Sequence, residues 1–258
     1  MDTNGVSTRL LGLPQFIVSA DIFVVSGSVV LEGREAAHLL GPRRLKQGQK
    51  VRLADGTGRV AVARIVNVSK NRVGLEVVEY LGQKDDLIPC TIFLALIRRE
   101  RFELAVLKLS EIGVSAIRPI ITERSIRYDG ENLKKRLSRW QTLSLEALKQ
   151  SRGFKATMIE SPVTLEEAVS EVEDSCFKIA LFSEKRGGGP SPFFMDEDLF
   201  PLVVAVGPEG GFSPGEKDFL TSRGFRAAGL GRRILRSETA AIYMASLLCE
   251  IHRRGPFS

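Results

Sequence analysis

The first part of this chain alternates hydrophobic and polar positions residue by residue. Up to about Leu81 this alternation predicts β-strands, most clearly at 50–54 and 59–68, which flank the turn sequence Asp-Gly-Thr-Gly at 55–58. One helical pattern, 32–40, interrupts the strands. The first part is therefore predicted to form a small barrel or sandwich, and the polar segment that follows it, 82–90, is predicted to be a linker.

Beyond residue 90, short apolar runs alternate with stretches whose apolar residues recur at helical spacing. In one of these stretches Phe102, Val106 and Leu109 share a face, and Gly113 is typical of a helix end. Strands are predicted at 91–97, 116–121, 178–182, 202–206 and 226–231, and helices at 101–113, 131–150, 165–172, after Ser213, and at 237–253. Such alternation favours an α/β fold with a parallel sheet covered by helices. Because knotted chains are rare, the pattern alone predicts an unknotted doubly wound sheet.

A glycine-rich turn, 207–211 (Gly-Pro-Glu-Gly-Gly), follows the apolar strand predicted at 202–206 and precedes a helix start with Ser213 as N-cap. This order is typical of a ligand site, although a tight connection without a ligand has the same pattern. The spacing excludes the two commonest phosphate-binding turns. Glu216 stands where a P-loop needs lysine, and Glu209 stands where a dinucleotide-binding turn needs its second glycine.

A second loop, 229–236, follows the last predicted strand and carries three arginines around an apolar pair, directly before the last helix. Its basic charge and the helix start favour an anionic or carbonyl-rich ligand. An N-capped helix with arginines in water is the alternative. Ligands of open α/β sheets bind outside the carboxyl ends of strands, so the two loops are predicted to converge. The residues concerned are Arg232, Arg233, Ile234, Leu235, Arg236, Ser237 and Glu238.

The composition narrows the classes of partner. The chain has 258 residues, with 37 Lys and Arg against 31 Asp and Glu, and a formal charge of +6 that suits a polyanion. Its three cysteines are far apart and it has two histidines, so a structural zinc site is not expected. Scattered thiols and the lack of a leader pattern predict a cytoplasmic protein. The longest apolar runs are too short to span a membrane.

The last predicted helix is apolar around most of its circumference. Ala245 and the aliphatic residues near it leave almost no polar face. A helix of this kind is buried within its own chain or faces a partner chain.

Four motifs together give the sequence a family resemblance. It resembles the small-subunit ribosomal RNA methyltransferases that form 3-methyluridine (the RsmE type), members of the SPOUT superfamily. The resemblance spans nearly the whole chain, with departures at Pro42-Arg43-Arg44, Arg101, where the family usually has lysine, and Lys149. It is carried by 108–114 (KLSEIGV), 118–125 (RPIITERS), 206–216 (VGPEGGFSPGE) and 230–240 (LGRRILRSETA), and by the spacing of His38, Arg44, Gly48, Asp55 and Gly56.

The resemblance implies a fold that periodicity does not indicate. It implies an α/β SPOUT-type domain over 86–258, threaded into a trefoil knot, and a small N-terminal PUA-like β-barrel over 1–85 that binds RNA. It also implies a homodimer and a cofactor, S-adenosylmethionine. The residues implied to bind the cofactor are Phe182, Gly207, Glu209, Gly210, Gly211, Leu230, Gly231, Ile234, Leu235 and Arg236.

The implied reaction is methylation of N3 of a uridine in small-subunit (16S) ribosomal RNA, either free or in the assembled subunit. Arg236, with Arg124 second, is expected to stabilise charge on the uracil oxygens, and Glu209 or Glu238 to accept the proton. Contacts to RNA are expected from Arg43, Arg44 and Lys46. Two alternatives are a methyltransferase acting on another nucleotide and a non-catalytic RNA-binding assembly factor.

Overall fold

The computed structural model describes residues 12–20, 27–40, 45–69, 71–182 and 199–254. It divides into two compact units. The first unit comprises residues 1–86 and 145–156, and the second comprises 87–144 and 157–258. The expected strand-rich N-terminal part and the expected alternating part both form.

The first unit is built on one five-stranded sheet with the order β1-β3-β4-β5-β2, in which β1 pairs parallel with β3 and the other pairs are antiparallel. A short helix, α1, follows β2. The inward residues of the strands, including Phe16, Leu53 and Leu75, form its core. The elements are β1 (Gln15–Ile17), β2 (Ser28–Glu32), α1 (Gly33–Leu40), β3 (Lys50–Ala54), β4 (Arg59–Val68) and β5 (Arg72–Gln83).

A second small cluster holds the segment 145–156 in the first unit. Phe154 and Leu148 pack with Ala54 and Val60. The carboxylate of Asp86 accepts hydrogen bonds from the backbone N–H groups of residues 154 and 155, at 2.9 and 3.1 Å. The first unit therefore includes a segment, 145–156, that begins about sixty residues after the main part of the unit ends.

The second unit contains a seven-stranded, all-parallel sheet with the order β12-β10-β11-β6-β7-β8, and β9 also pairs with β7. Its strands are β6 (Ile88–Ala95), β7 (Val114–Ile121), β8 (Met158–Ile159), β9 (Val163–Thr164), β10 (Phe177–Leu181), β11 (Leu202–Val206) and β12 (Arg226–Ala228). Its helices are α2 (Arg99–Ile112), α3 (Gly130–Ser151), α4 (Leu165–Ser170), α5 (Pro214–Ser222) and α6 (Ser237–Arg254), with the end of α3 belonging to the first unit.

Helices cover both faces of this sheet because successive side chains of its strands point to opposite faces. Ile92 and Leu94 of β6 pack in one core with residues of α2, α3 and α6. Phe93 and Ala95 pack in the other core with residues of α4 and α5. The parallel sheet predicted from the alternation is confirmed.

Three predictions were wrong in detail. The linker predicted at 82–90 is shorter, because β5 runs to Gln83 and β6 begins at Ile88. The strand predicted at 226–231 ends at Ala228, and Gly231 has a φ of 104°, a left-handed conformation that does not continue a strand. The last helix does have an exposed polar face, which includes Ser246 and Glu250, and it buries Ala245 within its own unit.

Among the described helices, none is both long enough and apolar enough to cross a membrane. Of the three cysteines, Cys90 is fully buried in the core, and burial raises the pKa of its thiol.

Candidate functional site

Two loops at the carboxyl edge of the parallel sheet converge on one cleft of about 1110 Å³. The first, 207–213, joins β11 to α5, and the second, 229–236, joins β12 to α6. The carboxyl end of β10 also reaches this cleft, through Leu181 and Phe182. The predicted convergence of the two glycine-containing loops is confirmed.

The cleft is lined by every residue that the family resemblance implied for cofactor binding, and it also includes Arg124. The proton acceptor candidate Glu238 does not line it, and its side chain is only 7% exposed. Arg43 and Arg44, predicted to contact RNA, lie outside the described residues. Lys46 is exposed on the first unit.

The start of α5 is fixed by a capping box. The Ser213 hydroxyl accepts a hydrogen bond from the Glu216 N–H at 3.3 Å, and the Glu216 carboxylate accepts one from the Ser213 N–H at 2.7 Å. The other oxygen of Glu216 accepts the N–H of Glu123 at 2.7 Å. One buried carboxylate therefore holds the first loop and the loop after β7 in a fixed relation.

Arg124 lies on this neighbouring loop and reaches the glycine-rich turn. Its Nη1 donates a hydrogen bond to the carbonyl of Gly210 at 2.7 Å. The guanidinium is exposed, so it combines a fixed anchor with access to the cleft. This placement agrees with a role for Arg124 close to a ligand.

The glycines of the first loop serve different purposes. A Cβ on Gly207 would meet the Phe212 ring and backbone nitrogen at 3.1 Å, and a Cβ on Gly210 would meet Cδ of Arg124 at 3.2 Å. Gly211 has a φ of 67°, which disfavours other residues. Glycine in such a turn also lets a ligand approach bare backbone. At Gly207 and Gly210 the tight contacts within the protein also favour glycine, because Phe212 or Arg124 would have to shift to admit a Cβ.

Arg101, near the start of α2, links the two loops through their carboxylates. Its Nη1 donates a hydrogen bond to Oε1 of Glu209 at 3.0 Å, and its Nε lies 3.9 Å from Oε1 of Glu238. The second oxygen of Glu238 is buried and has no hydrogen-bond partner in the described part of the chain. A single guanidinium thus contacts one carboxylate of the first loop and one in the first turn of α6, just after the second loop.

The lining of the cleft is basic. Lys217 and four arginines, Arg124, Arg232, Arg233 and Arg236, line it, whereas its one carboxylate, Glu209, is paired with Arg101. Among the described residues, no carboxylate lies within ion-pair distance of Arg232, Arg233 or Arg236, all of which are exposed. This uncompensated charge favours an anionic ligand.

An aromatic wall completes the cleft. The rings of Phe182 and Phe212 meet edge to face with centroids 6.0 Å apart, and Nζ of Lys217 lies 5.5 Å from the Phe182 centroid. Sequence reasoning missed Lys217 and the role of Arg101. The signal for Arg101 was its place four residues after the end of the strand predicted at 91–97, near the edge at which ligands collect.

The family model that matches this chain describes an RNA methyltransferase domain, and it matches residues 84–249. The match includes all the residues that line the cleft.

Curated relatives with similar sequences include two proteins called ribosomal RNA small subunit methyltransferase E. The one from Aquifex aeolicus is 31% identical over 192 residues, which cover 74% of this chain and 81% of the relative. The one from Bacillus subtilis is 27% identical over 226 residues, which cover 84% of this chain and 88% of the relative.

Solved structures extend the similarity to the fold. A ribosomal RNA small subunit methyltransferase E from Neisseria gonorrhoeae, bound to S-adenosyl methionine, superposes with a TM-score of 0.81 at 26% identity, covering 93% of this chain and 98% of its own. A putative methyltransferase from Legionella pneumophila, in complex with the same cofactor, gives 0.80 at 26% identity, covering 92% and 96%.

Proposed function

This chain belongs to the RNA methyltransferase domain family, and on that premise we propose that it is an S-adenosylmethionine-dependent methyltransferase of small-subunit ribosomal RNA. The target we propose is N3 of a uridine. The observation that carries the proposal is the convergence of loops 207–213 and 229–236 on one cleft whose turns fit neither nucleotide phosphates nor a dinucleotide.

The cleft suits the cofactor in size and in lining. Pockets of roughly 300–1,000 Å³ hold ligands of this size, so a cleft of about 1110 Å³ has room for the cofactor and part of a nucleotide. Leu181, Phe182 and Leu230 supply apolar surface for an adenine ring, and the turn 207–211 supplies backbone polar groups. Both kinds of group are needed to bind the adenosine part of the cofactor, which is uncharged.

The basic lining supports an RNA substrate. S-adenosylmethionine has a net positive charge, since its sulfonium and ammonium outweigh its carboxylate. With its one carboxylate, the cofactor therefore does not account for all three of Arg232, Arg233 and Arg236, which have no carboxylate partner in the described part of the chain. A phosphodiester and an ionised base do, because arginine pairs with both kinds of anionic oxygen.

The proposed chemistry assigns a role to residues of both loops. When bound, the cofactor supplies a methyl group on a positively charged sulfur. As N3 of uracil loses its proton, negative charge grows on the two carbonyl oxygens, and Arg236 and Arg124 stabilise it. Glu209, which lines the cleft, accepts the proton directly or through water. The N3 lone pair then bonds to the methyl carbon as the carbon–sulfur bond of the cofactor breaks, which leaves a neutral thioether. N3 lies on the pairing edge, so the target base must be unpaired or flipped out.

Further features of the proposal concern architecture. We propose that the chain over 86–258 is threaded as a trefoil knot, that residues 1–85 form a PUA-like RNA-binding domain, and that the protein is a cytoplasmic homodimer. Two observations support the knot: β10 lies between β11 and β12, and the two loops are adjacent at the cleft. The exposed Tyr243 on α6 supports the homodimer.

The proposed function has a direct test. Calorimetry is expected to detect binding of S-adenosylmethionine to the purified protein, and mass mapping of ribosomal RNA from a deletion strain is expected to show the loss of one N3-methyluridine. Loss of a different modification would show that the protein methylates another nucleotide. An unchanged RNA, together with no binding heat at millimolar cofactor, would leave the chain an RNA-binding assembly factor.

A further inference from the structure

We propose that Arg101 is a positioning residue, which couples the two cofactor-binding loops by holding Glu209 and Glu238 at the same time. This inference rests on the proposed function, because its effect is measured on the cofactor. Arg101 does not line the cleft. It acts through residues that do, or that directly follow those that do.

The two carboxylates belong to different loops of the cleft. Glu209 lies in the first loop, and Glu238 lies in the first turn of α6, directly after the second loop. Arg101 comes from a third element, α2. A separate nitrogen addresses each carboxylate, Nη1 for Glu209 at 3.0 Å and Nε for Glu238 at 3.9 Å. The arrangement therefore fixes three segments of chain relative to one another.

Burial makes the contact between Arg101 and Glu238 costly to break. The side chain of Arg101 is 27% exposed, and that of Glu238 is 7% exposed. One oxygen of Glu238 already lacks a hydrogen-bond partner in the described part of the chain. Without Arg101, Glu238 would be a buried charge with no ion-pair partner in the described part of the chain, which is costly, so we expect the start of α6 to move towards solvent. The loop that ends at Arg236 would move with it.

A lysine at this position keeps the charge but not the geometry. Its ammonium is a compact charge on a flexible stem, so it holds two carboxylates less rigidly than nitrogens on different edges of a planar guanidinium do. Comparison of Arg101→Lys with Arg101→Met therefore separates the effect of the bridge to two carboxylates from the effect of the positive charge alone. Arg99, in the same turn of α2, is a matched control because its ion pair is with Glu103 of its own helix, at 2.7 Å.

The sign of the effect on cofactor binding discriminates between positioning and charge alone. If Arg101 acted only through its charge, Arg101→Met would tighten the binding of a cationic cofactor. Positioning predicts the reverse, an increase in Kd of about 3- to 30-fold, with a smaller increase for Arg101→Lys. Arg99→Met is expected to bind as the wild type does. Calorimetry gives each Kd, and thermal melting shows whether each variant is folded.

A double-mutant cycle then tests whether Arg101 acts on cofactor binding through Glu209. Glu209→Gln alone is expected to weaken binding, whereas in the Arg101→Met background it is expected to add less than about twofold, because the two residues act as one unit. Additive effects, or an Arg101→Met protein with wild-type Kd and rate, would overturn the inference. If Arg101→Met does not fold, Arg101→Lys and Glu209→Gln complete the same cycle. Failure of the wild type to bind the cofactor would instead refute the proposed function.

Discussion

Arg236 occupies the point where the second loop meets α6, and its side chain is exposed in the cleft. An alternative to a catalytic role is that Arg236 holds Glu238 in place. The structure gives that task to Arg101, since in the described residues the ion pair of Glu238 is with Arg101. The one hydrogen bond that Arg236 makes towards α6 uses its backbone carbonyl, which accepts from Ala240, so it survives any substitution.

Arg236→Ala is therefore expected to lose about 10²- to 10³-fold in methylation rate while keeping its melting temperature. Arg236→Lys is expected to recover little, because a point charge lacks the planar fork. Single-turnover rates on small-subunit RNA, with calorimetry for the cofactor, measure both. A folded Arg236→Ala protein with wild-type rate would end the catalytic assignment.

For single residues, the sequence predicted which residues line the cleft better than it predicted the contacts that those residues make. The order of a strand, a glycine-rich turn and a capped helix is local, so it indicated a site at 207–216. What each residue touches depends on distant chain. Phe212 beside Gly207, Arg124 beside Gly210 and Arg101 beside Glu209 are contacts that spacing along the chain does not reveal.

Helix α6 has one side in the core of its unit and another side that is exposed. Ala245 is fully buried in the core that α6 shares with α2. Tyr243 is 43% exposed and lies on another side of the same helix. The apolar composition of α6 is therefore explained in part by burial within its own unit, and a subunit interface would have to use its exposed face.

Two substitutions on α6 are expected to have different effects. Ala245→Glu is expected to destabilise the fold itself, by about 3–5 kcal/mol, because it buries a charge with no partner. Tyr243→Glu is expected to shift the protein from dimer to monomer with little change in melting temperature. Light scattering at micromolar concentration and thermal melting measure the two quantities. A wild-type protein that is already monomeric would contradict the proposed dimer.

Helix ends and long strands were predicted well, and short strands were not. The capping boxes at Thr164 and at Ser213 involve residues three apart, so the sequence contains all the information they need. The two-residue strands β8 and β9 exist only because β7 lies beside them. No pattern of two residues can indicate a partner that is about forty residues away.

For the whole molecule, the excess of basic residues is expected to act through the salt dependence of RNA binding. Arg43→Ala combined with Arg44→Ala is expected to weaken binding and to reduce the log–log salt slope by roughly 0.7 to 0.9 for each RNA phosphate that is no longer neutralised. The cofactor Kd is expected to stay the same, because the cleft consists of residues from 124 to 240. Filter binding over a range of salt concentrations gives the slope. An unchanged slope would make the two arginines ordinary surface charges.

The first unit has a consequence for the order in which the protein can fold during synthesis. Its strands are complete by residue 86, but the residues that cover Ala54 and Val60, among them Leu148 and Phe154, follow about seventy residues later. At 5–20 residues per second, the ribosome needs roughly 4–14 s to make that stretch. Throughout that interval Ala54 and Val60 lack the side chains that cover them in the folded protein, so we expect chaperones that bind nascent chains to attach there.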